Sequence, residues 1–308
     1  MTTTNKLDLA KTSLLGLSIG DAFGETFFGP TEIISDRVNN RVLQEGTWFF
    51  TDDTVMSIGV YNILRRFGAI DQEQLAKEFA DNYLADNYRG YGATAQRILR
   101  DIAEGTYWME ASSSVFDGMG SAGNGAAMRS GPVGAYFYEN TEAVIKQAKL
   151  AAEVTHSHSE GIAGAIAVAL AACICTRYRL KGQTLSADDF YDFIINNMPA
   201  SEVKAKIQKA KKLPANYDIR TIVSVLGNGT NLTAQDTVPF ALWCVAHHTG
   251  SFSEAIWTGI TALGDRDTIA AIIGSIVVLS AGPDSIPEQW ILQAEKFSDS
   301  PFFEKPIL

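Results

Sequence analysis

Two pairs of acids, more than two hundred residues apart, each stand where a helix is about to begin. Thr51-Asp52-Asp53-Thr54 precedes Val55, Met56, Val60, Ile63 and Leu64; Asp265-Arg266-Asp267-Thr268 precedes Ile269, Ile272, Ile273, Ile276 and Val277. Both apolar sets have helical spacing. Four carboxylates beside hydroxyls make a poor core and a costly surface unless a cation joins them. Oxygen ligands without Cys or His suit Mg²⁺ or Mn²⁺ rather than Zn²⁺. The plain alternative is helix capping, in which an Asp or Thr accepts first-turn N–H groups and favours the positive end of the dipole. Capping accounts for one acid per helix. It asks for neither Asp52 beside Asp53 nor Asp265 and Asp267 around an arginine, so the pairing favours a divalent-metal site built from both ends of the chain, with capping still open.

Composition narrows the function classes. A formal charge of −10 over 308 residues argues against a nucleic-acid surface, which needs clustered Lys and Arg. The basic exception, Lys204, Lys206, Lys209, Lys211 and Lys212, is spaced like the solvated face of a helix. No apolar signal stretch precedes Leu14. The Ala-rich run from Gly161 to Thr176 falls short of the roughly 18–20 residues of a membrane span and reads as a buried helix. Three cysteines make no disulfide framework, and Cys173 and Cys175 point to different helix faces. Reduced thiols in a cytoplasmic protein away from membranes are the expectation.

Helical spacing covers 7–20, 53–67, 72–86, 92–104, 141–153, 160–179, 187–197, 201–211, 237–248, 252–262, 268–281 and 287–297. Ser251 and Glu254 form a capping-box pattern, and Pro239 behind Asp236 and Thr237 fits a first helical turn. No stretch alternates with period two. The fold class is all-α, as a single domain over 1–308, with long loops at 105–125 and 227–235 that suit function better than idle connection.

Two segments add polar chemistry. Gly123-Asn124-Gly125-Ala126-Ala127-Met128-Arg129 is either a tight turn or a loop whose backbone approaches a phosphate or sugar. Thr155-His156-Ser157-His158-Ser159-Glu160 opens the Ala-rich helix; its histidines are two apart, a spacing that would not aim both at one ion. A helix start of this kind suits an anion, and a capping histidine is the alternative.

Together, Gly16-Leu-Ser-Ile-Gly-Asp-Ala-Phe-Gly24, Thr51-Asp-Asp-Thr54, Gly123-Asn-Gly-Ala-Ala-Met-Arg129, Thr155-His-Ser-His158 and Gly264-Asp-Arg-Asp-Thr268 resemble, in order, the motifs of the ADP-ribosylglycohydrolase family. That family includes dinitrogenase-reductase-activating glycohydrolases and ADP-ribosyl-acceptor hydrolases. The resemblance implies an orthogonal helical bundle with two Mg²⁺ ions, Mn²⁺ being possible, at helix N-termini. Thr51, Asp52, Asp53, Asp265, Asp267 and Thr268 match its metal-ligand positions, with Asp52, Asp53 and Asp267 as the catalytic acids. Gly123, Asn124, Gly125 and His156 match positions that contact diphosphate and ribose; Met128 and Arg266 complete the expected substrate-binding set.

The implied reaction is hydrolysis of the N-glycosidic bond between ADP-ribose and an acceptor, ADP-ribosyl-arginine on a protein being favoured. Serine-linked or acetyl-ester conjugates are alternatives, as is a protein that binds and blocks an ADP-ribosyltransferase. Two metals roughly 3.5–4 Å apart can orient a sugar diol and acidify a bound water, and carboxylates stabilise oxocarbenium character at the anomeric carbon. The chain departs from the pattern at Phe28, where many relatives carry a glutamate, with Glu25 and Glu32 out of register. It departs again at Arg266, which marks an Asp-Arg-Asp subgroup, and at Ala122, where an aromatic is frequent.

Overall fold

The helical periodicity is realised along almost the whole chain. In order the elements are α1 (Lys6–Glu25), α2 (Thr31–Asn39), α3 (Asp52–Phe67), α4 (Gln72–Ala85), α5 (Ala93–Ala103), α6 (Trp108–Ser113), α7 (Gly131–Tyr136) and α8 (Thr141–Glu153). There follow α9 (Ser159–Leu180), α10 (Ala187–Asn197), α11 (Glu202–Ala210), α12 (Ile219–Leu226), α13 (Ala234–His247), α14 (Phe252–Ile260), α15 (Arg266–Ala281) and α16 (Glu288–Gln293). The computed structural model describes residues 5–304. Among these, extended pairing is limited to the isolated bridges Trp48–Ala294 and Gly123–Thr233. The all-α expectation therefore holds.

Polar side chains start many of these helices as physical chemistry asks. Asn5, Asp71, Asn140, Ser186, Ser201 and Asp218 each accept a first-turn amide, and Ser251 accepts from Glu254 as the capping-box pattern required. Four helices were not expected from spacing: α2, α6 within the 105–125 segment, α7 and α12. A further correction concerns α13, which begins at Ala234, so Pro239 lies inside it rather than in its first turn.

One contact organises the fold. Gly16, Gly20 and Gly24 form a stripe on α1, and α15 lies against it backbone to backbone. A β-carbon on Gly20 would collide with the Ala270 carbonyl, and one on Gly24 would lie 2.7 Å from both the Arg266 carbonyl carbon and Asp267 Cα. Ser13 Oγ donates to the Ser275 carbonyl at 2.7 Å, fixing the register. One buried cluster extends from Leu9 to Phe302. Within it, α9 is 22 residues long, and 83% of its most apolar window is buried, so its low polarity is that of a core helix. Cys173, Cys175 and Cys244 are free and buried.

Candidate active site

Asp21 explains how the first acidic pair is left free. It follows Gly20 on α1, is fully buried, and aims at the start of α3. Its Oδ2 accepts from the amides of Thr51 at 2.9 Å and Thr54 at 3.1 Å and from the Thr54 hydroxyl at 2.5 Å. Its Oδ1 accepts from the Thr51 hydroxyl at 2.8 Å. Thr51 Oγ1 in turn accepts the Asp53 amide at 3.3 Å. Thus α3 is capped by Asp21 and Thr51, and neither Asp52 nor Asp53 is needed for it. At α15 the N-cap residue Asp265 makes no side-chain capping bond; its Oδ2 accepts instead from Asn124 Nδ2 at 2.6 Å. Capping accounts for Thr51, but for neither carboxylate of the first pair.

The close α1–α15 contact carries the second pair to the first. Thr268 Oγ1 lies 3.4 Å from Asp53 Oδ2, across 215 residues of chain. Asp53 Oδ1 is buried with no hydrogen-bond partner, a costly state for a carboxylate oxygen. Burial, followed by the charges of Asp267 and Asp21, pushes Asp52 well above the usual carboxylate range. Burial and then Asp21, Asp267, Asp52 and Asp265 do the same to Asp53. Asp265 is raised by burial and by Asp267, and Asp21 by burial up to about 7. Mutual repulsion of this kind is what a cation would relieve. No three acidic, His or Cys side chains among the described residues close on one point as a finished ligand cage. The set is open, and its chemistry of carboxylate and hydroxyl oxygens fits a hard divalent ion.

Asp52, Asp53, Asp265, Asp267 and Thr268 all line one cavity of about 620 Å³, while Thr51 stands behind them, buried. The glycine loop adjoins the acids through the Asn124–Asp265 hydrogen bond. Gly123, Asn124, Gly125, Met128 and His156 line the same cavity. The loop is held to the segment before α13 by Asn124 N–H to the Leu232 carbonyl at 3.1 Å and Ala234 N–H to the Ala122 carbonyl at 2.9 Å. Asn124 Nδ2 also donates to Thr237 Oγ1 at 3.0 Å. A β-carbon on Gly125 would come within 2.9 Å of His156 Cε1, so a larger residue here would have to displace the imidazole. Of the two histidines, His158 is the cap of α9, accepting the Glu160 amide at 3.1 Å, although it too reaches the cavity.

Arg266 does not line the cavity; its guanidinium stacks on the Phe28 ring. No Lys or Arg among the described residues contributes to the wall. The structure also supplies an aromatic that sequence reading missed. Phe116 and Leu232, both with left-handed backbone (φ 53° and 54°), present exposed side chains to the cavity. Asp21 was likewise missed, since an acid inside a recognised motif gave no hint of which helix it would meet.

Carboxylates, the glycine loop and an aromatic thus share one cavity. The ADP-ribosylglycohydrolase family model matches residues 2–302. The chain belongs to the ADP-ribosylglycohydrolase family. It is 30% identical to ADP-ribosylhydrolase ARH3 of Danio rerio, over 92% of this chain and 85% of that protein. It is 24% identical to ADP-ribosyl-[dinitrogen reductase] glycohydrolase of Rhodospirillum rubrum, over 94% of this chain and 92% of that one. A solved structure named ADP-ribosylglycohydrolase-related protein complex shares the fold, with a TM-score of 0.66, 22% identity, and coverage of 94% and 93% of the two chains. As an ADP-ribosylglycohydrolase the chain is an enzyme.

Proposed function

We propose that this member of the family, of an Asp-Arg-Asp subgroup, hydrolyses the bond between ADP-ribose and an acceptor, with arginine on a protein as the favoured acceptor. The observation that carries this reading is the convergence of two distant acid pairs on a single cavity. A guanidinium leaving group would meet carboxylates there and no cation on the wall. Asp52, Asp53, Asp265, Asp267 and Thr268, with Thr51 behind them, would hold Mg²⁺ or Mn²⁺, for which the partnerless Asp53 Oδ1 is a vacant donor. Two ions, when bound, would supply Lewis acidity and positive charge that the wall lacks.

The chain's own groups then have distinct tasks. The Asp52 carboxylate makes no side-chain hydrogen bond among the described residues, which leaves it free to hold an ion or to orient a water on the cavity side. Asp53 and Asp267 would face positive charge developing at the anomeric carbon. Gly123 and Gly125 would receive the diphosphate, the Asn124 side-chain oxygen would accept from a ribose hydroxyl, and Phe116 offers a flat apolar surface to the base.

Release of free ADP-ribose from arginine-, serine- and ester-linked conjugates, with and without EDTA, tests the proposal. Preferential, EDTA-sensitive release from the arginine conjugate is expected. Faster release from another linkage would reassign the acceptor. No release from any of them, together with protection against an ADP-ribosyltransferase that persists in Asp52→Asn, would make the protein a blocking scaffold.

A further inference from the structure

Arg129 is an uncommon residue: a fully buried guanidinium that ends the glycine loop yet is absent from the cavity wall. It lies over the Phe79 ring at 4.4 Å and makes no ion pair among the described residues. Burying a charge with no carboxylate in direct contact, Asp52 acting on it only from farther off, is expensive, so its position asks for a purpose. Its Nη2 donates to the Ala151 carbonyl at 3.0 Å and to Thr155 Oγ1 at 2.8 Å. Thr155 Oγ1 lies 2.8 Å from His156 Nδ1.

The direction of this chain follows from donor inventory. Arginine has no acceptor, so Thr155 Oγ1 must accept from it. The hydroxyl hydrogen then has one buried acceptor in reach, His156 Nδ1. Were Nδ1 protonated instead, the threonine hydrogen would be stranded in the core at a cost of about 1–3 kcal/mol. His156 is thereby left with its proton on Nε2, the ring edge that lies against Gly123 on the cavity wall. The imidazolium form is disfavoured by burial and by Arg129, which lower the His156 pKa to about 3.

We infer that Arg129 and Thr155 are positioning residues that hold His156 as a neutral Nε2–H donor aimed at an anionic oxygen of the bound ligand, a diphosphate or ribose oxygen. Every donor in the series Arg129, Thr155, His156 points the same way, and aligned donors polarise one another. The buried guanidinium thus lends positive character to a cavity that has no cation on its wall. The ligand class rests on the proposed hydrolysis of ADP-ribose conjugates; the tautomer does not.

The test combines two readouts on the full chain with Mg²⁺. Nitrogen NMR of ¹⁵N-histidine-labelled protein, without ligand, should show His156 with an unprotonated Nδ1 and a protonated Nε2 from about pH 5 to 8. Titration with ADP-ribose should show Thr155→Val binding on the order of tenfold more weakly than the parent, with Thr155→Ser restoring both affinity and tautomer. An Nδ1–H tautomer in the parent overturns the inference, even if Thr155→Val fails to fold. So does a folded Thr155→Val that keeps the Nε2–H form and the parent affinity. Failure of the parent to bind ADP-ribose would count against the proposed function while the NMR result still decides the relay.

Discussion

The Arg266 guanidinium stands 4.5 Å from the centre of the Phe28 ring. Two of the positions expected to depart from the family pattern thus pack on each other. The arginine between two candidate ligands therefore turns away from the cavity and onto the connection between α1 and α2. Its Nε is buried without a hydrogen-bond partner, and the charges of Asp267, Asp265 and Glu25 act on it without a direct ion pair among the described residues. A cation–π pair of this kind contributes about 0.5–2 kcal/mol. Phe28→Ala and Arg266→Ala should show a coupling in that range when combined in a double-mutant cycle read by denaturant unfolding. Arg266→Ala should keep the Mg²⁺-induced rise in Tm, while KM or acceptor preference shifts. Much tighter Mg²⁺ binding by that variant would mean that the arginine competes for the acids.

Substitution of the acids separates ligation from capping. Asp52→Asn and Asp267→Asn should lower kcat by about 10²-fold or more, yet leave the EDTA-treated protein as stable as the parent or more so, since repulsion is relieved. Asp21→Ala should behave differently. It strands the Thr51 and Thr54 amides, and chemical denaturation should register a loss of about 1–3 kcal/mol for each. Equal instability of all three variants would restore capping as the role of every acid.

Without metal, stability should fall as pH rises. The folded state holds the Asp21 pKa at about 7, against about 3.9 for an unfolded aspartate. Between these values the native state binds more protons than the unfolded one, so the stabilisation is complete below about pH 4 and is lost as pH passes about 7. The Tm measured in EDTA should decline from about pH 5 to 8, and saturating Mg²⁺ should flatten or reverse the slope by binding the ionised acids. A Tm indifferent to Mg²⁺ and EDTA at every pH would remove the metal site from consideration.

Gly24→Ala and Gly16→Ala test how tightly the helix contact controls chemistry. Either β-carbon meets α15, at the Arg266–Asp267 backbone for Gly24 and at Gly274 and Val278 for Gly16. Each should cost about 1–3 kcal/mol of stability through overpacking. Only Gly24→Ala pushes on the turn that bears the acids, so kcat at a temperature where both are folded should drop for it and hold for Gly16→Ala.

The acid pairs and the glycine loop were legible in the sequence because their residue types are costly anywhere but a site. The long helices were legible because three or more turns give a repeating stripe. Short ones were not: α6 and α7 have six residues each, too few for periodicity, and α7 contains Gly131, Pro132 and Gly134, which are poor helix formers. Gly134 is in fact small because the Ala169 backbone abuts it. Asp21 lay in plain view on α1, but its work is done on α3, and no local pattern links a helix interior to the cap of another helix. Phe116 sits in a segment without helical spacing, so nothing in its neighbourhood signalled that it would face the cavity.

The docking of α15 along the glycine stripe of α1 also has a meaning in time. A ribosome delivers Asp21, Asp52 and Asp53 early, yet the segment that completes the cavity emerges only after some two hundred further residues. Contacts so distant in sequence form late and slowly. If the cavity is the site of the proposed reaction, a nascent chain would be inert through most of its synthesis, carrying a cluster of acids with nothing to close over them. A chain truncated anywhere before α15 would be a polypeptide with half a site, and activity becomes a report that the two ends have met.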